Sequence, residues 1–291
     1  MGTRLRVIAA HSDRGVADGG DRNLVGFRFP RRLERPLPGD WIELDADGTP
    51  VRIEPRRNTF GRGDRRGRFR PIAANLDQII IVIAPQPAPS HDLLHRYLVA
   101  ARIQGIEALI VVNKSDLGIP EAPPFDELAG LAGLGYRVVE TRCEPKPELA
   151  GLSNCIDERT SLLAGQSGVG KSSMLNALIP DLAVQTGALS RVTGKGTHTT
   201  TSATLHPLPG GGWLVDTPGV WEFSLWRLSD HELERAFPEF ASRGSGCRFR
   251  DCRHRTEPGC GVHAAVEAGR IPAFRHQSWL RLLDEQDRIG S

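Results

Sequence analysis

The chain has 291 residues, of which 39% are hydrophobic, and its net charge at pH 7 is only +2. That length predicts about two domains, with enough residues for a core of ordinary size. The longest strongly apolar run, IIIVIA at 79–84, is far too short to span a bilayer, and the amino terminus has no signal-peptide pattern. We therefore expect a cytoplasmic protein without a membrane partner.

The charge is unevenly distributed. Residues 52–70 hold eight arginines against two acidic residues, and residues 241–281 hold eight arginines against three. The stretch 113–160 between them carries five basic and nine acidic residues. Two basic ends suggest a polyanion that is contacted at both ends. A solvated arginine-rich surface would have the same charges, so charge alone does not separate these two interpretations.

The first 70 residues or so form short runs in which apolar and polar residues alternate. The runs are RLRVIAA, LVGFRF, DWIELD and VRIEP, and turn-rich pieces separate them. Such spacing predicts an amino-terminal β-barrel over 1–68. The basic run that closes it includes Phe60 and Phe69, which is compatible with an OB-like nucleic-acid face. A plain β module with a flexible basic linker is the alternative.

From about residue 71, strands alternate with helices. The predicted strands are LDQIIIVIA, IEALIVV, YRVVETR, TSLLAG and GWLVDTPG, and the predicted helices are HDLLHRYLVAARIQG, PFDELAGLAGLG and KSSMLNALIP. This alternation predicts a mainly parallel α/β sheet over 69–228, with ligands at the carboxyl ends of its strands. A mostly helical domain is predicted over 229–291, and it starts at a helix capped by Ser229.

A phosphate-binding loop, GQSGVGKSS, lies where a predicted strand gives way to a helix. Its glycines let backbone N–H groups close around phosphates, and the helix amino terminus adds a positive dipole end. The residues expected to contact the nucleotide are Gly165, Gln166, Ser167, Gly168, Val169, Gly170, Lys171, Ser172 and Ser173. Lys171 would act on the β- and γ-phosphates as a catalytic residue, and Ser172 would bind Mg²⁺.

The tetrapeptide NKSD follows the buried strand IEALIVV and has the residues that read a guanine base: Asn113, Lys114, Ser115 and Asp116. Asp116 can accept hydrogen bonds from guanine N1–H and the exocyclic amine, which adenine does not offer. Asn113 would hold the base edge and the neighbouring loop, and Lys114 would lie along the ring. Three of the four lysines in the chain fall in predicted nucleotide loops, which supports a site for GTP and GDP.

Two further loops are typical of a γ-phosphate site. DTPG follows a strand, so Asp216 would contact Mg²⁺ through water and the Gly219 N–H would face the γ-phosphate. TGKGTHTTT at 193–201 is typical of a loop that orders around a phosphate–metal ion, and we favour Thr200 over Thr199 as its Mg²⁺ ligand. An ordinary mobile loop is the alternative.

The residue that orients the attacking water is not obvious. Many GTPases place Gln directly after the DxxG motif, but Val220 occupies that position here. His198 is the candidate for this catalytic role, and a purely structural hydrogen bond within its loop is an equal alternative. We expect slow intrinsic turnover that a partner stimulates.

The order of these motifs along the chain is reversed, because NKSD precedes the phosphate loop. A parallel sheet keeps the same strand neighbours if the old termini are joined and the chain is cut elsewhere. The joining segment would be 144–160, and the cut would lie just past DTPG. Movement of that loop on hydrolysis would then pull on the carboxy-terminal domain.

The carboxy-terminal region contains a cluster with zinc-ligand spacing, made of Cys247, Cys252, His254 and Cys260. Three thiolates and one imidazole suit one structural, tetrahedral Zn²⁺ with no open position. His263 as the imidazole ligand, or thiols without metal, are the alternatives. Cys143 and Cys155 stand apart and are expected to be small buried hydrophobes.

The chain closely resembles the RsgA (YjeQ) family over about residues 38 to 285. The motifs that carry the likeness are AANLDQIIIV, GQSGVGKSSMLN, TGKGTHTTT, DTPGVWEF and CRFRDCRHRTEPGC. The resemblance implies an OB fold, a circularly permuted GTPase domain and a zinc domain. It also implies a protein that assists late maturation of the 30S ribosomal subunit, binds 16S rRNA and leaves after GTP hydrolysis. We expect the protein to be a monomer. The family's switch-loop histidine matches His198, and its zinc ligands match the cluster above. ETRC replaces its usual Ser-Ala motif here.

Two other functions are compatible with these motifs. A GTPase that serves another RNA or a protein client would carry the same nucleotide loops. A binding module, with a nucleotide site that does not turn over, would be consistent with Val220 after DTPG. Hydrolysis measured with and without 30S subunits separates all three.

Overall fold

The computed structural model describes residues 3–20, 23–30, 33–45, 47–90, 92–186, 203–217, 223–244 and 246–290. Within these ranges no helix has both the length and the apolar character needed to cross a bilayer. The chain forms an amino-terminal antiparallel sheet, a β-hairpin, a six-stranded mainly parallel sheet and a group of carboxy-terminal helices.

The amino-terminal sheet has five antiparallel strands in the order β3-β2-β1-β4-β5. Their bounds are β1 Thr3–His11, β2 Arg14–Asp18, β3 Leu24–Arg28, β4 Trp41–Leu44 and β5 Pro50–Ile53. Every second side chain of β4 is buried, as the alternating pattern predicts. The pattern missed β2, which is short and follows a two-residue turn whose first residue, Ser12, has a φ of 51°.

The basic stretch after this sheet is a hairpin and not a flexible linker. Its strands are β6 Thr59–Gly63 and β7 Phe69–Ala74. The Asp64 carboxylate organises the turn, since it accepts from the backbone N–H groups of Arg66 at 2.9 Å and Arg68 at 3.0 Å. It also pairs with the guanidinium groups of Arg68 and Arg70. These bonds hold its pKa well below the usual range and keep the turn in one shape.

The large sheet has the order β10-β9-β8-β11-β13-β12, and only β12 is antiparallel to its neighbour. The strand bounds are β8 Gln78–Ile83, β9 Glu107–Val112, β10 Arg137–Glu140, β11 Thr160–Gly165, β12 Thr204–Pro207 and β13 Trp213–Asp216. All residues of β8 and β11 are buried, because helices cover both faces of the sheet. The prediction of a mainly parallel α/β sheet is confirmed.

The helices around this sheet are α1 Leu93–Ile103, α2 Leu128–Gly133, α3 Ala150–Ile156 and α4 Lys171–Leu178. Three of them were predicted. Helix α3 lies inside the segment proposed to join the old termini and was missed because it has only two turns. It packs Leu152 and Ile156 into the core beneath the sheet.

The carboxy-terminal helices are α5 Asp230–Arg235, α6 Pro238–Gly244, α7 Gly261–Glu267 and α8 Ala273–Gly290. The predicted cap is present: the Ser229 hydroxyl accepts from the Glu232 N–H at 3.3 Å, and the Glu232 carboxylate accepts from the Ser229 N–H at 2.8 Å. Phe237, Phe240 and Trp279 form the centre of this unit and are at most 1% exposed.

A buried polar chain fixes α8 to α1. Arg275 is fully buried and donates to the Glu239 carboxylate at 2.5 Å and to His95 Nδ1 at 3.4 Å. His95 Nε2 lies 2.8 Å from Glu127 Oε2. Because burial lowers the pKa of His95, its neutral ring can accept at Nδ1 and donate at Nε2. The carboxy-terminal helices are therefore docked on the helix that flanks β8.

Candidate functional site: a nucleotide cavity and a Cys/His cluster

One cavity of about 650 Å³ opens at the carboxyl ends of the parallel strands. Its lining consists of Lys114, Asp116, Leu117, Cys143, Glu144, Ser167, Gly168, Gly170, Lys171, Ser172, Ser173, Asp216 and Thr217. It thus brings together parts of NKSD, of the phosphate loop and of the DTPG loop, which are widely separated along the chain. Parallel strands direct all their carboxyl-end loops to one edge of the sheet, so reversal of the motif order leaves this arrangement intact.

The NKSD motif is bonded directly to the phosphate loop. Asn113 is 1% exposed, and its Nδ2 donates to the Val169 carbonyl at 2.8 Å. Lys114 Nζ donates to the Gly168 carbonyl at 2.8 Å. Gly170 has a φ of +96°, and a Cβ there would lie 2.3 Å from Asn113 Nδ2. The two motifs therefore approach so closely that only glycine fits at this position.

Two residues after β10, both in the ETRC stretch that replaces the family's Ser-Ala motif, complete the base side of the cavity. The buried Thr141 hydroxyl donates to Asn113 Oδ1 at 3.1 Å, and the Thr141 carbonyl accepts from the Ser115 N–H at 3.2 Å. Cys143 is only partly buried and lines the cavity, with its Sγ 3.8 Å from Asn113 Oδ1. The expectation that Cys143 and Cys155 are small buried hydrophobes was wrong in burial, since both are only partly buried and pack at the edge of the core.

Contacts within the protein hold the phosphate loop in its turn conformation. Gly165 has a φ of +140°, and a Cβ there would lie 2.3 Å from the Val82 carbonyl oxygen. Lys171 Nζ donates to the carbonyls of Gly165 at 2.8 Å and Gln166 at 2.7 Å. The Gln166 side chain accepts from the Ser90 N–H at 3.1 Å and so ties the loop to the segment before α1. Helix α4 begins at Lys171, so its amino-terminal N–H groups face the cavity.

The charged groups of the cavity are partly removed from water. Burial lowers the pKa of Lys171 and raises the pKa of Asp216, and each partner's charge partly offsets that effect on the other. A bound anion would stabilise the charged form of Lys171, and a bound cation would stabilise the charged form of Asp216. The site therefore favours binding of an anion and a cation together. Three predicted site residues, His198, Thr200 and Gly219, lie outside the described part of the chain. The alternative Mg²⁺ ligand Thr199 and the residue after DTPG, Val220, lie outside it as well.

An aromatic stack lies behind the phosphate loop. The buried Tyr97 hydroxyl is hydrogen-bonded to the backbone of Gly165, and burial raises the pKa of Tyr97 to about 12. The Tyr97 ring stacks on Phe223 at a centroid distance of 4.1 Å, and Phe223 stacks on Phe60 at 5.8 Å. The stack therefore connects the phosphate loop, the segment after DTPG and the hairpin. Sequence alone gave no indication of it.

The predicted zinc ligands converge, and their ligand atoms all lie within 4.8 Å of one another. Cys247 Sγ is 4.0 Å from Cys260 Sγ, and His254 Nδ1 is 3.4–3.6 Å from the three sulfurs. A tetrahedral ion with Zn–S bonds of about 2.3 Å spaces sulfurs about 3.8 Å apart, so this donor set fits zinc. His254 Nε2 faces Glu234 at 3.5 Å, the usual arrangement around a ligating histidine. His263 instead contacts the His254 carbonyl at 3.1 Å.

The parallel sheet, the phosphate loop and the guanine-reading motif, in reversed order along the chain, define a circularly permuted GTPase. The family model described as RsgA GTPase matches residues 53–226. The chain belongs to this family, and it is a GTP-hydrolysing enzyme. The predicted fold class and family resemblance are thereby confirmed.

The similar proteins cover nearly the whole chain. The small ribosomal subunit biogenesis GTPase RsgA of Chromohalobacter salexigens is 44% identical, over 97% of this chain and 86% of its own. The protein of that name from Pseudomonas aeruginosa is 46% identical, over 96% of this chain and 84% of its own.

Two solved structures share the fold. The crystal structure of YjeQ from Thermotoga maritima has a TM-score of 0.75 and 28% identity, and the match covers 98% of this chain and 99% of that one. The structure of YloQ, described as a circularly permuted GTPase, has a TM-score of 0.73 and 26% identity, covering 99% of this chain and 96% of that one.

Proposed function

We propose that this GTPase assists late maturation of the 30S ribosomal subunit, binds 16S rRNA and leaves the subunit after GTP hydrolysis. Its turnover alone is slow, and the small subunit stimulates it. The names of the relatives support the ribosomal role. The observation that carries the proposal is a nucleotide cavity whose DTPG loop continues directly into a segment bonded to an arginine-rich hairpin. The protein would work as a cytoplasmic monomer.

In the bound state, the base occupies the end of the cavity lined by Asp116, Lys114 and Cys143. Asp116 accepts from guanine N1–H and the exocyclic amine, which selects GTP over ATP. Asn113 also holds the base edge, and its bonds to Val169 and Thr141 keep Asp116 and the phosphate loop at a fixed separation. Selection therefore depends on the Asp116 carboxylate and on the rigid frame that positions it.

The triphosphate lies across the phosphate loop toward Lys171 and Asp216. Lys171 exchanges its bonds to two loop carbonyls for the β- and γ-phosphates and stabilises the charge of the transferred group. Ser172, Thr200 and the water-linked Asp216 would hold Mg²⁺, which neutralises phosphate charge when bound. In this scheme His198 positions the attacking water and the Gly219 N–H senses the γ-phosphate.

The segment after DTPG is bonded along the hairpin. The Ser224 carbonyl accepts from the Gly63 N–H at 2.8 Å, and the Arg227 N–H donates to the Gly67 carbonyl at 2.7 Å. Trp226 packs edge-on against Phe69 at 4.7 Å between ring centroids. A change in the DTPG loop on hydrolysis would reach the hairpin through a few bonded residues, and this is our basis for release on hydrolysis.

The hairpin turn offers phosphate-binding groups. Arg65 and Arg66 are exposed, whereas Arg68 and Arg70 are held by Asp64. Exposed guanidinium groups bind RNA phosphates in pairs of parallel hydrogen bonds. The Cys/His cluster, by contrast, would hold a structural Zn²⁺ that keeps the carboxy-terminal helices folded.

The test is GTP hydrolysis with and without purified 30S subunits. We expect slow turnover alone and at least about tenfold stimulation by the subunit. Lys171→Ala should abolish the stimulation. Lys146→Ala, which removes an exposed lysine outside the cavity, is the matched control and should behave as wild type. An equal rate with and without subunits would contradict the ribosomal role. Hydrolysis unaffected by Lys171→Ala would contradict the proposed site.

A further inference from the structure

The loop between two zinc-cluster cysteines exposes an aromatic side chain. Phe249 is 42% exposed, while Phe237, Phe240 and Trp279 of the same helical unit are at most 1% exposed. Of the large hydrophobic residues exposed in the described part of the chain, Phe249 is the only aromatic one. Unlike those three side chains, the Phe249 ring is accessible to a binding partner.

The arginines beside Phe249 are not used by the fold. Arg248 and Arg250 are exposed, and neither forms an ion pair with any residue that the structure describes. Arg253 and Arg255, only a few positions later, are both paired with aspartates. The Arg248 guanidinium lies over the Phe249 ring, 5.5 Å from its centroid. Asp251 is the one acidic group within the loop, so the loop remains positive.

The loop is also held rigidly. Cys247 and Cys252 bracket it and belong to the cluster that fits zinc. The Arg248 N–H donates to the Gly259 carbonyl at 3.0 Å, and a Cβ at Gly259 would lie 3.1 Å from the Arg248 side chain. An aromatic ring on such a support loses little freedom when it stacks on a flat partner.

We propose that Phe249 stacks on an unpaired RNA base, while Arg248 and Arg250 bind the flanking phosphates. This inference rests on the proposed ribosomal function and specifies one contact between the protein and the RNA. Aromatic side chains beside arginines are the usual means of holding single-stranded RNA, because every base has a π-face and every linkage a negative charge. An intact RNA duplex would not offer such a face, so the partner is a loop, bulge or end.

The experiment measures binding of the full-length protein to purified 30S subunits in the presence of a non-hydrolysable GTP analogue. Phe249→Ala should weaken binding about tenfold. Phe249→Trp should restore it to within about twofold, since indole also stacks. Val184→Ala, which trims another exposed apolar side chain, is the control. Intrinsic GTP hydrolysis without subunits should be the same in all variants.

Ribose acylation probing of the 16S rRNA in each complex identifies the partner. Wild type and Phe249→Trp should lower the reactivity of an unpaired nucleotide that Phe249→Ala leaves reactive. Weaker binding of Phe249→Ala without such a nucleotide would assign the contact to a ribosomal protein and overturn the inference. Equal binding of Phe249→Ala and Val184→Ala would overturn it while the proposed function stands. No binding by wild type would overturn both.

Discussion

Asn113→Ala tests the frame that holds the two reversed motifs together. The substitution removes the donor to the Val169 carbonyl and the acceptor for the Thr141 hydroxyl, and these two residues are 0% and 2% exposed. A buried polar group left without a partner costs about 1–3 kcal/mol, so two of them cost about 2–6 kcal/mol. Part of this penalty lowers the free energy of unfolding. The rest of the penalty weakens nucleotide binding, because the loops must be brought back to their bound positions each time GTP binds.

We therefore expect Asn113→Ala to bind Mg·GTP about ten- to a hundredfold more weakly in calorimetry, at about 1.4 kcal/mol per factor of ten. Because the defect lies in the frame, the affinity of Asn113→Ala for inosine triphosphate, which lacks the exocyclic amine, should fall by the same factor. Asp116→Ala should instead lose more affinity for GTP than for inosine triphosphate. Asn154→Ala, at an exposed asparagine on α3, is the control. GTP affinity of Asn113→Ala within twofold of wild type would refute the reasoning.

Three other outcomes follow from the geometry. Elemental analysis should find one zinc per chain in wild type and in Cys155→Ser but none in Cys252→Ser; equal zinc in both variants would exclude the cluster as the metal site. Burial raises the pKa of Asp216, so on lowering the pH this carboxylate should be protonated before an exposed aspartate is. Its protonation should weaken Mg·GTP binding. The unliganded protein should be more stable at this lower pH than at higher pH, because the folded state binds the proton more tightly than the unfolded state. Asp216→Asn should flatten that pH profile of binding, and an unchanged profile would exclude Asp216 as its source. Tyr97→Phe should raise the Kd for GTP a few-fold by freeing the Gly165 backbone, with Tyr136→Phe as control; identical constants would show that the hydroxyl does not position the loop.

The parts of the fold that sequence predicted are those in which local pattern and tertiary environment agree. Strands β8, β9 and β11 are almost uniformly apolar because both of their faces are covered, so the pattern alone identifies them. The capping box at Ser229 likewise carries its own local chemistry.

In the hairpin and in helix α3, the local sequence pattern does not indicate the structure that the tertiary environment stabilises. The hairpin sequence is dense in arginine and glycine, and its strands exist because Phe60 packs on Phe223, which lies more than 150 positions away. Helix α3 is too short to show a helical period and is stabilised by burial of Leu152. Both depend on long-range contacts that no local window contains.

The candidate site likewise contains residues that the sequence predicts and residues that only the fold reveals. Motif spacing predicted the residues that would touch the ligand, since phosphate and base chemistry restrict those positions to a few residue types. A second group of residues positions those that touch the ligand: Thr141, Tyr97 and Glu234. Several types of side chain could fill these positions, so no sequence motif identifies them. Only the fold shows that these three are the ones in place.

The reversed motif order has a structural consequence beyond the nucleotide site. In the usual order, the DTPG loop would be followed by further strands of the same sheet, and its displacement would be absorbed within that sheet. Here the chain leaves the sheet after β13 and next bonds to the hairpin through Ser224 and Arg227. It then enters the helices that Arg275 fixes to α1. A displacement at the end of β13 would therefore be passed on to the hairpin and to the carboxy-terminal helices.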